Sequence, residues 1–553
     1  MARAGEDASV RFGTSGFRGR WGIEYTEPVV RDISQAVCDF LTEEGLSGRT
    51  VVIGYDSRQH ADTAAGWCAE VVSRNGFPVH LTSRDTPTPA LAFYAGNVLG
   101  DVSAGVINCT ASHNPIDWHG MKFSLRDGSI SPPRATDFIG RRANDYRNRT
   151  LKAPDLNPAA AAPIQAIDPH DAYCGWLLEN GEADCRISLD HDRMRHYFTD
   201  KLVILDEMHG TGRGYLRTVL DEIGIRYRVI HGERDPKLGG LHAANPEEPH
   251  IQGLKDAVAE SRAAVGIGLD TDADRYGIVD RGGTYVAPNA ILAMLTRYLG
   301  VDRKLTGCVA TTNVTTHILE RIAGDIPGND AFRPAQGALP MHRRNPDYAI
   351  VRGDPSALVT QNVYTVLTGL KYIIQVPQMS PDYQILDDRP ADWQCRLLIG
   401  GEEASGLTTK GHVPDKDGMW AGLLVLDMIA SYGRSLREIW DETQSIYGAS
   451  ITAPINLRAP DDRKAPFIDS FLETARREGR LAGMPVVFAG GVPGRYAEIQ
   501  LQDTHGSTDT YLHVRPSGTE PLIRLYLEAA SAEALSALRD EIGERAELLA
   551  TQT

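Results

Sequence analysis

An α/β protein, with parallel sheets covered by helices and a separate α+β tail, is the fold class that this sequence predicts. Three features carry the expectation. Short apolar strands alternate with longer amphipathic helices, the signature of βα units. The 553 residues are 42% hydrophobic and 24% charged, the ordinary balance of a folded protein, and the length predicts three to five domains. Near Ser450 the alternation stops, and the chain ends in a helical pattern with Leu535, Leu538, Ile542 and Leu549 on one face.

The first helix starts after Thr26, a residue able to cap, with Pro28 in its first turn and Val30, Ile33, Val37, Phe40 and Leu41 at three- and four-residue spacing. Val51-Val52-Ile53-Gly54 follows as a short buried strand. The stretch Leu151–Pro163, LKAPDLNPAAAAP, has no periodicity and reads as a linker. Strand and helix recur at Lys201–Leu205 with the segment after Gly214, and at Val265–Leu269 with the segment after Asn289. No short-period repeat or heptad is visible.

With 57 Lys+Arg against 73 Asp+Glu, the net charge is −16. No dense basic run exists, which argues against nucleic-acid or anionic-membrane binding, so any phosphate is held locally. The N-terminus MARAGEDASV has no apolar signal core, and no run of about 18 apolar residues occurs, so the expected compartment is the cytosol. Seven scattered cysteines without a C-x-x-C pair suit reduced thiols, mostly small core hydrophobes, better than a disulfide framework or zinc site.

Chemistry concentrates in a few segments. Gly268-Leu269-Asp270-Thr271-Asp272-Ala273-Asp274-Arg275 empties an apolar strand into three carboxylates at alternate positions, which can converge on one hard cation. An isolated D-x-D is ordinarily a solvated acidic turn; three aspartates directly after a buried strand favour a ligand site, because ligands in α/β sheets sit at the carboxyl ends of strands. An EF-hand is excluded because its sixth and twelfth positions are Arg275 and Arg281. A phosphatase with an aspartyl nucleophile is weakened by Asp274, where that family has another residue type.

Asn108-Cys109-Thr110-Ala111-Ser112-His113-Asn114-Pro115 also follows an apolar strand and suits an exposed nucleophile, although taken alone it reads more readily as a polar turn with a surface Ser. No G-x-S-x-G surrounds Ser112, so acyl transfer has no support. Arg515-Pro516-Ser517-Gly518-Thr519-Glu520-Pro521 combines an Arg fork, hydroxyls and a close-approach Gly in a potential phosphate cradle. Weaker signals are the loop Arg11–Gly19 and Gly400-Gly401-Glu402-Glu403-Ala404-Ser405-Gly406, whose carboxylates and hydroxyl could grip a sugar.

In this order the segments resemble the α-D-phosphohexomutase family, the phosphoglucomutases and phosphomannomutases, from Arg11 to about Leu527: F-G-T-S-G-F-R-G, T-A-S-H-N-P, D-x-D-A-D-R, G-G-E-E with a later D-K-D-G at Asp415–Gly418, and R-P-S-G-T-E-P. The resemblance implies three related α/β domains with mixed sheets and a smaller C-terminal α+β domain around a central cleft, with expected boundaries 1–195, 196–300, 301–445 and 446–553. It implies that Ser112 is phosphorylated and that Asp270, Asp272 and Asp274 bind Mg²⁺ with the Ser112 phosphate. It places Lys122 near the reacting oxygens, matches Arg18 to an arginine pointing into the site, and gives His113 to proton movement or loop orientation. Arg275 and Lys371 would orient substrate, Glu403 and Ser405 would contact the sugar, and Arg515, Ser517, Gly518 and Thr519 would hold the other phosphate.

The implied reaction converts a sugar 1-phosphate to the 6-phosphate through a bound bisphosphate, with glucose 1,6-bisphosphate as the type of activator. Phosphoglucomutase is the first expectation; phosphomannomutase or phosphopentomutase, and in other classes a sugar-phosphate phosphatase or a silent binding relative, are the alternatives. The expected partners are small sugar phosphates. Three departures stand out: Thr271 where the family usually has Gly, His119-Gly120 for Asn-Gly, and an extra residue in G-G-E-E-A-S-G-L. Counting back from Gly406 selects Glu403 and Ser405 in that loop; counting forward from Gly401 selects Glu402 and Ala404.

Overall fold

A computed structural model describes residues 9–13, 16–152, 154, 161–179, 185–354, 361–386, 390, 392–517 and 521–551, with the backbone alone for 547–551. The chain forms two compact units, each drawn from separate stretches of sequence. One comprises Met1–Pro288, Gly369–Ile374 and Ala404–Leu436; the other comprises Asn289–Thr368, Gln375–Glu403 and Arg437–Thr553.

The first unit contains two sheets. Strands β1 (Phe17–Arg20), β2 (Thr50–Tyr55), β3 (Val79–Thr82), β4 (Ser103–Cys109), β5 (Trp118–Ser124) and β6 (Ile164–Ile167) run in the order β1-β5-β4-β2-β3-β6. The four strands β4, β2, β3 and β6 are parallel, while β5 and β1 add an antiparallel edge. The second sheet takes β7 (Val203–Asp206), β8 (Tyr227–Ile230), β9 (Val265–Leu269), β10 (Tyr276–Asp280) and β11 (Thr284–Val286) in the order β11-β10-β9-β7-β8. Its parallel core is β9-β7-β8. Residues Leu407–Thr409 of this unit form a further short strand, β16 in chain order.

Local sequence explains the elements. The first helix spans Glu27–Glu43 and buries Val30, Ile33, Val37, Phe40 and Leu41, each at most 3% exposed, as its spacing predicts. Thr26 occupies the N-cap position in extended backbone, but its side chain makes no capping bond; Pro28, which has no N–H to satisfy, shapes the first turn instead. The strands β4 and β9 are buried along their whole length, which is why they read as continuous apolar runs rather than alternating ones. Gly266 in β9 lets the helix Gln252–Ser261 approach closely, since a Cβ there would collide with Val258 and Leu254.

The second unit holds the parallel set β14-β12-β15, where β12 is Cys308–Thr312, β14 Tyr364–Val366 and β15 Leu397–Gly401. It also holds a seven-stranded antiparallel sheet from β13 (Ala349–Arg352), β17 (Ile451–Arg458), β18 (Arg480–Leu481), β19 (Met484–Val492), β20 (Tyr496–Leu501), β21 (Thr510–Pro516) and β22 (Leu522–Ala529). Its order is β13-β19-β20-β21-β22-β17, with β18 beside β19. The helices Asp461–Glu478 and Ala532–Thr551 pack against it through Phe467, Phe471, Leu535, Leu538 and Ile542. The expected contribution of Leu549 lies outside the described side chains, as do Ala153 and residues 155–160 of the expected linker.

Five cysteines, Cys38, Cys68, Cys109, Cys174 and Cys308, are buried and free, as expected of small core residues. Cys185 and Cys395 are disulfide-bonded, which corrects the expectation of reduced thiols throughout; spacing along the chain does not report which thiols the fold brings to a partner. Among the described residues no helix is long and apolar enough to cross a membrane.

A buried carboxylate ties the C-terminal sheet to the loop after β12. Glu528 accepts from Thr316 Oγ1 and Ser450 Oγ at 2.7 Å each and from the backbone N–H of His317 at 2.9 Å, and faces His317 Nδ1 at 2.8 Å. Burial opposes its charge, but the bond to His317 and those to Ser450 and Thr316 prevail and lower it from 4.5 to about 2. A lowered folded-state value stabilises above the unfolded value and is lost as pH falls from about 4.5 toward 2, a contribution of about 3 kcal/mol. We expect Glu528→Gln to be less stable than wild type at pH 6, with the difference shrinking below pH 4.5. Urea unfolding at pH 6 and pH 3 checks this, and a gap of equal size at both would refute the assignment.

Candidate active site

The loops at the carboxyl ends of β2, β4 and β9 meet in the first unit, where ligands sit in α/β sheets. After β9 the chain turns tightly, with Ala273 at φ 55°, and the oxygens of Asp270, Asp272 and Asp274 lie within 4.8 Å of one another. All three aspartates are fully buried. Ser112, in the loop between β4 and β5, donates to Asp270 Oδ2 at 2.8 Å. The seryl oxygen and the acidic trio expected to share one centre are thus in direct contact. Ser112 is only 2% exposed, correcting the expectation of an exposed loop. The short polar side chains that read as a surface turn are consumed by internal hydrogen bonds: the Ser112 N–H donates to Thr110 Oγ1, and the Ala111 N–H to Asp56.

Three like charges in a dry site need cations. Lys122, on β5, donates to Asp272 Oδ2 at 2.6 Å and Asp274 Oδ2 at 2.7 Å, and Lys416 Nζ lies 3.1 Å from Asp274. For Lys122 burial opposes the charge, but Asp272 and Asp274 outweigh it and push the ammonium above its ordinary value. Asp274 is held below the ordinary carboxylate range because Lys122, Lys416 and Arg275 overcome its burial and the neighbouring charges. Asp272 is lowered likewise, with burial and Asp274 opposed by Lys122 and Thr88. Asp270 goes the other way: burial, then Asp272 and Asp274, raise it well above the usual value. Burial is also the main cause that lowers Arg18 to about 10, still cationic at neutral pH. Its guanidinium donates to the carbonyl of Thr110, crossing Gly120, where any Cβ would strike it.

His113 Nδ1 lies 3.4 Å from Ser112 Oγ. Burial, followed by the charges of Arg275, Lys416 and Arg18, holds this imidazole well below its ordinary value and therefore neutral. The backbone N–H of Arg275 donates to Asp270 Oδ1 at 3.0 Å. Lys371, buried on the short helix Leu370–Ile373, is lowered by burial against the charge of Asp137, and is not among the partners of the trio. Ser405 Oγ is engaged by Glu247 Oε1 at 2.7 Å, with its backbone at φ 59°.

The oxygens that Asp272 and Asp274 leave open test the fitness of the trio for a metal. Asp272 Oδ1 and Asp274 Oδ1 are buried and accept no hydrogen bond. Orphaned, anionic, oxygen-only donors beside Ser112 fit a hard divalent cation and suit neither a thiolate- nor an imidazole-seeking metal. The departures noted in the sequence fit as well. Thr271 is fully buried and not among the positive-φ residues; it packs beside Gly210, where a Cβ would crowd the carbonyls of Asp270 and Thr271, so the loop needs no glycine at 271. His119 serves as an aromatic filler, 4.8 Å from the Trp21 ring and 5.6 Å from that of Tyr25, and burial lowers it to about 3.

In the second unit, Glu403 follows β15; its Oε2 accepts from Thr312 Oγ1 at 2.9 Å, and its Oε1 lies 3.9 Å from Arg515 Nη2. Arg515, at the end of β21, donates to Tyr526 Oη at 2.6 Å and keeps its buried Nε unpaired. Ser517 is buried, with its N–H on the carbonyl of Leu522. Gly518 and Thr519 lie outside the described residues.

Sequence reasoning missed three residues that organise the Ser112 and aspartate loops, Thr88, Asp56 and Arg58, and gave no separate role to Asn108. Thr88 donates to Asp272 Oδ2 at 2.6 Å and accepts from Asn108 Nδ2 at 2.9 Å, while Asp56 and Arg58 grip the Ser112 loop from below. The signal for the last two was present: Asp56-Ser57-Arg58 follows β2 as the chemistry-bearing loops follow β4 and β9.

Comparison with known proteins agrees with this geometry. Family models described as phosphoglucomutase/phosphomannomutase match in order: α/β/α domain I over residues 9–150, domain II over 178–283, domain III over 360–447 and the C-terminal domain over 456–545. The chain is 25% identical to the phosphoglucomutase of Komagataeibacter xylinus, over 96% of this chain and 90% of that one. It is 24% identical to the phosphoglucosamine mutase of Kineococcus radiotolerans, over 96% and 97%. Its fold matches the open form of pp63/parafusin, a phosphoglucomutase from Paramecium, with a TM-score of 0.70 at 19% identity over 98% and 95% of the two chains. With four domain matches in sequence order across most of its length, the chain belongs to the phosphoglucomutase/phosphomannomutase family of α-D-phosphohexomutases.

Proposed function

We propose that this protein is a sugar-phosphate mutase that interconverts a 1-phosphate and a 6-phosphate through phospho-Ser112 and a bound bisphosphate, with glucose phosphate as its first substrate. The 2.8 Å contact between Ser112 Oγ and Asp270 carries this reading. Asp270, Asp272 and Asp274 would hold Mg²⁺, which when bound neutralises charge on the phosphoryl group in transfer. Lys122, bonded to Asp272, and Arg18, bonded to the Thr110 carbonyl and within the field of Asp272 and Asp274, supply fixed positive charge to this site. His113, kept neutral, supplies a proton acceptor 3.4 Å from Oγ. Arg515 and Ser517, together with Glu403, are the proposed phosphate and sugar contacts of the second unit.

The burial of Ser112 favours a mutase over a phosphatase, because a phosphoseryl group sheltered from bulk water survives long enough to meet a sugar hydroxyl. Relatives named for glucose, mannose and glucosamine phosphates keep phosphomannomutase and phosphoglucosamine mutase as rival specificities, and a pentose phosphate is kept as an alternative on the sequence alone. The test is an assay with Mg²⁺ over hexose, hexosamine and pentose 1-phosphates, with and without the matching bisphosphate, measuring both isomer and inorganic phosphate. We expect isomer formation that depends on bisphosphate and is greatest for glucose 1-phosphate. Predominant release of phosphate would overturn the mutase reading, and a larger kcat/KM for another sugar would overturn the choice of glucose.

A further inference from the structure

We infer that Arg58 is a positioning residue for the Ser112 nucleophile: its buried guanidinium clamps the loop 110–118 and so sets the rate of phosphoryl transfer without touching substrate. The inference rests on the reading of Ser112 as the phosphorylated residue. Arg58 lies just past β2 and is 1% exposed. Its Nε donates to Asp56 Oδ2 at 3.2 Å; Nη1 donates to the carbonyls of Pro115 at 2.7 Å and Trp118 at 3.2 Å; Nη2 donates to those of Ser112 at 2.5 Å and Asn114 at 2.7 Å. All five donors of the fork are used, four of them on backbone carbonyls of one loop, an arrangement that only a planar guanidinium can supply.

The loop needs such a clamp. Ser112 sits at φ 49°, in the left-handed region that a non-glycine residue occupies only when its surroundings hold it there. The Ser112 carbonyl is gripped by Arg58, and its N–H by Thr110 Oγ1, so both ends of the strained residue are fixed. Asp56 completes the mounting: its Oδ1 accepts from the Arg58 N–H at 3.0 Å and its Oδ2 from the Ala111 N–H at 3.3 Å. Without the fork, the buried carbonyl of Ser112 and the half-buried carbonyls of Asn114, Pro115 and Trp118 lose this donor, and Ser112 can relax out of the conformation that places Oγ against Asp270. A displacement of about 1 Å in a reacting atom costs about 100-fold in rate.

The chemical step read in the test is the loading of the enzyme. The bond between Ser112 Oγ and phosphorus forms as the bond from phosphorus to a sugar oxygen of the bisphosphate breaks, and the seryl proton ends on that departing oxygen. Arg58→Lys and Arg58→Gln are loaded with glucose 1,6-bisphosphate and Mg²⁺ beside wild type, and phosphate on Ser112 is followed in time by intact-protein mass. We expect both variants to fold by circular dichroism, to reach the wild-type final stoichiometry, and to load about 100-fold more slowly, with kcat lowered and KM for the sugar phosphate nearly unchanged. A folded variant that loads at the wild-type rate overturns the clamp, and so does failure of both variants to fold, which would assign Arg58 to the fold alone. If wild type itself takes no phosphate on Ser112, the nucleophile reading falls and the inference with it; that result is distinct from a wild type that loads beside unaffected variants.

Discussion

Ser112→Ala is expected to abolish mutase turnover, by about 10⁴-fold or more, while leaving a folded protein. Among the described residues only the Ser112 hydroxyl donates to Asp270, at 2.8 Å, and it lies 3.4 Å from His113, so its removal takes the proposed covalent route with it. The structural cost is small because one buried acceptor, Asp270 Oδ2, loses its donor, a loss of about 1–3 kcal/mol. Ser112→Thr sharpens the expectation. It keeps a hydroxyl, but a β-branched residue at φ 49° is a steric outlier, so the threonine variant should also be nearly inactive. Steady-state assays and intact mass after bisphosphate treatment check both variants; turnover within tenfold of wild type in the alanine variant would refute the nucleophile.

The Ser112 loop and the acidic trio were legible in the sequence because chemistry in an α/β sheet gathers at the carboxyl ends of strands, and the apolar runs before Asn108 and Asp270 mark those ends, whereas Lys122, inside β5, was reached only through the family resemblance. The sheet order was not legible. Whether β5 runs antiparallel beside β4 is set by a loop whose internal bonds are made by residues far along the chain, Asp56 and Arg58 among them. The burial of Ser112 was misjudged for the same reason: polar composition reports what a segment can bond to, and here the partners are internal. Sugar contacts were the least legible. Ser405 carries the hydroxyl that counting back from Gly406 selects, yet that hydroxyl is engaged by Glu247, a residue no local pattern links to the loop. The C-terminal sheet also recruits β13 from well before the point where the pattern changes, a long-range pairing with no local signature.

Asp270→Asn should raise the thermal stability of the metal-free protein while removing its response to Mg²⁺ and lowering kcat by about 10³-fold. The two effects have one origin. Asp270, Asp272 and Asp274 crowd their oxygens within 4.8 Å in a site with no exposed carboxylate, and Asp270 bears the repulsion, raised well above the ordinary carboxylate value by burial and by its two neighbours. A group whose folded-state value is raised destabilises the fold once pH exceeds the unfolded value near 4, so Asp270 is a liability at pH 7 in the metal-free protein. Asparagine has the same shape, still accepts from the Arg275 N–H, and carries no charge. Lys122 and Lys416 already satisfy Asp272 and Asp274, so no cation is stranded by the change. A Mg²⁺ ion held by the folded trio alone should raise the wild-type Tm by mass action; with one of three anionic donors gone, that rise should shrink or vanish. Differential scanning calorimetry with and without Mg²⁺ decides the matter, because a trio serving only the fold would make Asp270→Asn less stable and leave its Tm, like that of wild type, indifferent to the cation.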